Sequence, residues 1–98
     1  DQLKGKRVMI TGAAGSIGSE IVRQVIPFFP EKIILIDKAE TPLYHLETEL
    51  EEIEKGKHLP HNLVTLVADV CDKSRMKHLF EIYKPDFIYH AAAFKHVP

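Results

Sequence analysis

The segment Val8-Met9-Ile10-Thr11-Gly12-Ala13-Ala14-Gly15-Ser16-Ile17-Gly18 constrains this chain more than any other. A short apolar run rich in β-branched residues breaks at once into glycines at positions 12, 15 and 18. An amphipathic segment, Ser19 to Ile26, follows without a gap. Strand, glycine turn, helix is the order in which such a glycine pattern carries meaning. Gly12 would let the chain turn sharply off the strand. Gly15 would let backbone amides approach a pyrophosphate with no Cβ in the way, and Gly18 would let the helix pack closely on the sheet. The free N–H groups and positive dipole end of that helix would hold the phosphate charge, which brings Ala14, Ser16 and Ile17 into the same contact. Glycine-rich strand–helix turns also occur in α/β proteins that bind nothing there, so the flanking order carries the inference.

Composition narrows the class. The 98 residues are 45% hydrophobic and 28% charged, an ordinary globular balance. Thirteen basic residues against fourteen acidic ones leave a formal charge of -1. That charge suggests neither a nucleic-acid footprint nor a polybasic membrane patch. A single cysteine, Cys71, excludes an intramolecular disulfide and fits a reducing compartment. It follows an apolar run and precedes a helix cap, so it is expected to be buried or half-buried and not a nucleophile. No apolar run approaches the roughly twenty residues of a membrane span, and the start lacks a signal-peptide pattern. The segment is expected to be soluble and cytoplasmic, without membrane contact.

Strand and helix patterns alternate along the chain with no linker or low-complexity stretch. Arg7 to Thr11 reads as the first strand and about Ser16 to Val25 as the first helix, closed off by Pro27 and Pro30. Ile33-Ile34-Leu35-Ile36 is a continuous apolar run, as a strand covered on both faces should be. Thr41-Pro42 reads as a cap followed by proline at the first helical position. Leu43, Leu46, Leu50 and Ile53 then recur at helical spacing. Glu47, Glu49, Glu51, Glu52 and Glu54 sit mostly off that stripe and read as a solvated face, not a catalytic cluster. Gly56 to Asn62 is expected to be a loop and Leu63 to Val67 the third strand. Asp72 should cap a third helix with Met76, Leu79, Phe80 and Tyr83 inward, ended by Pro85, before a fourth strand from Phe87 to His90. This spacing implies a doubly wound, Rossmann-like α/β fold whose parallel strands lie in the order 3-2-1-4.

Further candidates stand at the strand ends. Asp37 lies nineteen positions beyond Gly18, close to where an acidic residue meets the adenosine ribose. Its carboxylate would accept from the ribose hydroxyls and repel a 2′-phosphate, which favours NAD, with NADP as the alternative because Lys38 partly offsets the repulsion. The other reading has Asp37 merely opening a turn. Asp69 and Val70 follow the third strand, where a carboxylate or backbone group reaches the adenine edge; a turn cap accounts for Asp69 equally well. Ala91, Ala92 and Ala93 would give clearance for a dinucleotide, with Lys95 and His96 beyond them where a substrate enters. His90 reads as a satisfied, partly buried histidine, and the histidines have too little support from other ligands to form a metal site.

Thr11 to Gly18 resembles the cofactor motif of the extended short-chain dehydrogenase/reductases. Gly15-Ser16-Ile17-Gly18-Ser19-Glu20, Glu40-Thr41-Pro42-Leu43-Tyr44 and His90-Ala91-Ala92-Ala93-Phe94-Lys95-His96-Val97-Pro98 are similar to their polysaccharide-biosynthesis branch. Those are the nucleotide-sugar 4,6-dehydratases that act on UDP-N-acetylglucosamine and related sugars. The resemblance covers essentially the whole chain. It implies a UDP-sugar substrate, a homo-oligomer, and a parent protein attached to the membrane through a preceding region. It also implies oxidation at C4 by hydride transfer to NAD, loss of water across C5 and C6, and return of the hydride to C6.

The family's catalytic tyrosine and lysine are four positions apart, whereas Tyr44, Tyr83 and Tyr89 are followed at that distance by Thr48, Phe87 and Ala93. Residues 1–98 therefore read as the amino-terminal portion of a cofactor domain, with no catalytic residue of its own and no activity alone. An epimerase shares the first step of the dehydratase reaction, and a non-catalytic nucleotide-binding module is the reading from another class. A Tyr-x-x-x-Lys motif beyond Pro98 in the parent would discriminate them.

Overall fold

A computed structural model describes residues 2–57 and 62–91, with the side chains of residues 53–57 outside that description. Four strands, β1 (Arg7–Thr11), β2 (Lys32–Asp37), β3 (Leu63–Val67) and β4 (Phe87–His90), form one sheet in the order β3-β2-β1-β4. All three pairings are parallel. The strand order and direction are those expected from the glycine turn and the alternation.

Three helices cover the sheet: α1 (Ser16–Val25), α2 (Glu40–Lys57) and α3 (Lys73–Tyr83), with a 3₁₀ turn at Ile26–Phe28 after α1. Alternation along each strand sends side chains to opposite faces. Val8, Ile10, Ile33 and Leu35 meet Val22 and Val25 of α1 and Leu43, Leu46 and Leu50 of α2. Met9, Ile34 and Ile36 meet Met76 and Leu79 of α3 on the other face. Residues 33–36 are fully buried because both sides of β2 are roofed, which is why that strand reads as an unbroken apolar run.

Local expectations fare unevenly. Asp72 caps α3, its side chain accepting from Arg75 N at 3.1 Å, and Lys84 closes the helix in the left-handed region. The second helix begins earlier than the Thr41-Pro42 signal suggests, at Glu40, and its first turn is closed by Leu43 N donating to Ala39 O at 3.2 Å. Pro42 fits two positions further in because first-turn amides have no intrahelical acceptor to lose. The loop expected from Gly56 is also displaced, since α2 reaches Lys57. Residues 58–61 and the side chain of Ile53 lie outside the described residues.

Two of the α2 glutamates do more than face solvent. Glu49 receives Arg23 Nε at 2.8 Å and Nη2 at 3.1 Å, a two-pronged clamp between α1 and α2. This pairing holds the Glu49 carboxyl below the usual range and raises Arg23. Glu47 accepts from Thr65 Oγ1 at 3.2 Å, joining α2 to β3. At the amino ends of the strands, Arg7 donates through its side chain to Glu31 and to Tyr83 O, while its amide donates to Asp86 Oδ2.

Candidate dinucleotide site

The carboxyl ends of β1 and β2 are locked together by hydrogen bonds from the glycine turn. Ala13 N donates to Ile36 O at 3.1 Å, and Ala14 N donates to Asp37 Oδ2 at 3.0 Å. Gly15 N donates back to Gly12 O at 3.1 Å, so the turn closes on itself before α1 begins. Gly12 has φ +68°, a conformation that side chains other than glycine adopt rarely. A Cβ built on Gly18 would overlap the Gly12 carbonyl oxygen and come within 2.9 Å of Ala13 Cα. Gly18 therefore lets α1 seat directly on the turn, a closer contact than the helix–sheet packing expected from the sequence.

Gly15 is different. It is the N-cap of α1 at φ -75° and ψ 172°, extended backbone that any residue adopts. Conformation does not require a glycine there. No side chain caps α1, and its first turn holds no acidic residue. The leading amides are thus left to an outside acceptor, with Ser16 exposed and Ile17 beside it 51% exposed.

Asp37 is the hub of the site. It is only 4% exposed. Oδ2 accepts from Ala14 N, Oδ1 accepts from Ala39 N at 2.9 Å, and the main-chain carbonyl accepts from Ala68 N at 3.1 Å. One residue thereby fixes the loops that follow β1, β2 and β3. The two sequence readings of Asp37, turn former and ligand acceptor, are compatible: each carboxylate oxygen has more than one lone pair, and each spends one on the turns.

Asp69 is exposed, with Oδ1 accepting from Cys71 N at 2.9 Å and its carbonyl accepting from Asp72 N. The Cys71 amide holds the Asp69 carboxyl below its ordinary range, and the Lys38 charge acts in the same direction. Lys38 is exposed. Val70 is half-buried against the Met76 and Leu79 cluster. Cys71 departs from expectation: it is exposed, because the strand ends at Val67 and residues 68–72 turn outward to reach α3.

His90 is exposed too, not partly buried. Its Nδ1 lies 3.0 Å from Thr11 Oγ1, the two residues being register partners at the ends of β4 and β1. Sequence reasoning passed over this pair, although a hydroxyl and an imidazole closing two adjacent parallel strands was a signal it could have used. Ala91 is buried. Ala92, Ala93, Lys95 and His96 lie outside the described residues. The turn, Asp37, Lys38 and the Asp69 loop are gathered at the carboxyl ends of the strands, the side on which open parallel sheets take their ligands.

A central glycine turn on a 3-2-1-4 parallel sheet defines a Rossmann unit of the short-chain dehydrogenase/reductase kind. The chain superimposes on a short chain dehydrogenase from Mycobacterium smegmatis with a TM-score of 0.68 and 27% identity, over 83% of this chain and 32% of that one. The chain belongs to the polysaccharide biosynthesis protein family, whose sequence pattern matches residues 8–98. It is 47% identical to the probable polysaccharide biosynthesis protein EpsC of Bacillus subtilis across 100% of this chain and 16% of that protein. It is also 35% identical to the dTDP-glucose 4,6-dehydratase of Salmonella typhimurium across 93% of this chain and 24% of the enzyme. The chain thus spans between a sixth and a quarter of the length of these relatives.

Proposed function

We propose that residues 1–98 are the dinucleotide-binding, amino-terminal portion of a nucleotide-sugar 4,6-dehydratase that acts on UDP-N-acetylhexosamines in polysaccharide biosynthesis. The observation that carries this reading is Gly15. Its backbone is ordinary and it starts an uncapped helix. A glycine whose conformation does not demand it, beside amides without an internal acceptor, fits a site where a pyrophosphate comes close to the main chain.

NAD is the cofactor that these residues suit, with NADP as the alternative. Bound there, it would supply a hydride acceptor and donor for the sugar ring. The chain's own part is to hold and orient. Gly12, Ala14, Gly15, Ser16, Ile17 and Gly18 line the pyrophosphate, and Asp37 offers its remaining lone pairs to the ribose with Lys38 alongside. Asp69 and Val70 border the adenine, Ala91, Ala92 and Ala93 leave room toward the nicotinamide, and Lys95 and His96 face the sugar. The parent protein is a homo-oligomer in this reading. Residues 1–98 alone turn nothing over, because general acid–base help worth about a hundred- to ten-thousand-fold is missing with the tyrosine–lysine pair.

Calorimetric titration of the 98-residue chain with NAD tests the cofactor assignment. Binding that disappears in Gly15→Val, with the helical signal retained, is the expected result; unchanged binding in that variant removes the turn from the site. Turnover of UDP-N-acetylglucosamine to a 4-keto-6-deoxy product by the longer protein tests the substrate. Exclusive turnover of dTDP-glucose, or epimerisation at C4, would replace the substrate or the reaction while leaving the cofactor site intact.

A further inference from the structure

Three segments far apart in sequence meet at the amino ends of the strands, the pole opposite the glycine turn. Gly5 N donates to Phe29 O at 3.2 Å, and Glu31 N donates to Lys6 O at 2.7 Å. Arg7 Nη1 donates to Tyr83 O at 2.9 Å, and Asp86 N donates to Arg7 O at 2.8 Å. The surface so assembled exposes large apolar side chains: Phe28 at 46%, Phe29 at 58% and Ile82 at 51%. Lys4 and Lys6 flank Gly5, whose amide bonds Phe29, and Lys84 follows Tyr83, which accepts from Arg7; all three lysines are exposed. Among the described residues none of these lysines makes an ion pair. Of the neighbouring carboxylates, Glu31 is paired with the Arg7 side chain and Asp86 accepts from the Arg7 amide, while Glu81 on the last turn of α3 makes no such pair.

The turn that presents the aromatic residues is itself unusual. Phe29 sits at φ 55° and ψ 53°, left-handed backbone that bulky residues rarely adopt. Pro27 and Pro30 bracket it, and Phe29 N donates to Ile26 O at 3.2 Å. The strain yields no buried ring, since more than half of Phe29 is open to solvent. Aromatic residues held outward on a stiff turn, with exposed lysines at the same pole, have the chemistry of an interfacial membrane contact.

We propose that this pole docks onto an anionic lipid surface. Phe28 and Phe29 enter the boundary between headgroups and acyl chains, and Lys4, Lys6 and Lys84 meet lipid phosphates. A second copy fits less well, because a two-fold contact through this patch would set each lysine cluster against its twin. Composition gave no hint of membrane contact, since Lys84 is far from Lys4 and Lys6 in sequence and its segment reaches the same pole only in the fold. No helix among the described residues is long and apolar enough to cross a membrane, so the contact is peripheral. Docking there turns the candidate dinucleotide site away from the lipid.

Flotation of the 98-residue chain with vesicles tests the proposal independently of any cofactor. Vesicles of phosphatidylcholine with about one-third phosphatidylserine should carry the chain, pure phosphatidylcholine should not, and high salt should release it. Lys4→Gln and Lys6→Gln should each weaken binding about five-fold. The pair Phe28→Ser and Phe29→Asn should weaken it by about ten-fold or more. Asparagine tolerates the left-handed backbone, and circular dichroism checks that the fold persists. Tyr44→Ser, an equally exposed aromatic on α2, should bind as the parent does. Equal flotation with neutral and anionic vesicles would overturn the proposal. So would unchanged flotation of the phenylalanine variant, or a dimer in sedimentation that Phe28→Ser converts to monomer.

Discussion

At the residue scale, Asp37 decides how binding experiments should be read. Its carboxylate holds Ala14 N and Ala39 N in place by the chain's own hydrogen bonds. Asp37→Ala should therefore weaken NAD and NADP together through a loosened turn, with a further loss confined to NAD where ribose hydroxyls are accepted and 2′-phosphate repulsion disappears. Asp37→Asn should also hurt both cofactors, because an amide nitrogen must face one of two backbone N–H donors. Calorimetry with the two cofactors separates the common loss from the differential one. A purely differential loss would mean that the turn does not need Asp37. Gly18→Ala is the sharper structural test: the added methyl meets the Gly12 carbonyl, and overpacking of this kind costs about 1–3 kcal/mol, read as a lower midpoint in urea. Gly18 and Asp37 were singled out in the sequence from spacing alone. Their partners were not, because spacing marks positions along the chain and says nothing about which loops those residues fasten to each other. Thr11 and His90 escaped for the same reason.

Among the elements, β1 and β2 were read well because burial on both faces leaves an uninterrupted apolar run, and the ends of α2 were read poorly. Thr41-Pro42 is a valid start signal, yet the turn made by Asp37 with Ala39 starts the helix earlier. Cys71 was misplaced because the apolar residues before it suggested burial, whereas the connection from Val67 to α3 carries it to the surface. The helices also hold a clamp that no periodicity announces. Glu49→Gln should cost between a few tenths and about 1 kcal/mol, since Arg23 and Glu49 are both more than a third open to solvent. Acid makes the sign clear. Glu49 and Asp69 have lowered carboxyl pKa values in the folded chain, so their stabilisation is present above the ordinary carboxylate range and is lost as pH falls through the lowered values. Glu49→Gln should flatten that acid limb in a series of thermal melts. An unchanged limb would show that the clamp is not formed in solution.

For the molecule as a whole, β3 and β4 are the two outer strands of the described sheet. β4 is four residues long and leaves Ile88 and Tyr89 more than a third exposed. An outer strand with apolar neighbours recruits other chains unless charge or bulk prevents it. The 98-residue chain is therefore expected to self-associate, with Ile88→Lys shifting sedimentation toward monomer. A concentration-independent monomeric melt of the unaltered chain would count against this.

Parallel pairing also sets an order of events. Thr11 and His90 stand 79 positions apart, yet they end neighbouring strands. No pair of strands in this sheet can zip from a hairpin, so each pairing must close a long stretch of chain before it gains anything. β1, central in the sheet, is synthesised before the other three strands and gains its second neighbour only with the last of them. A nascent chain halted after Val67 would hold β1 beside β2 with its other flank bare, a state that invites capture by chaperones or by sister chains. Refolding on the millisecond-to-second scale is expected, with pulsed hydrogen exchange protecting amides of the β1–β2 ladder before those that β4 completes. Simultaneous protection across the sheet would mean that the fourth strand takes part in the nucleus.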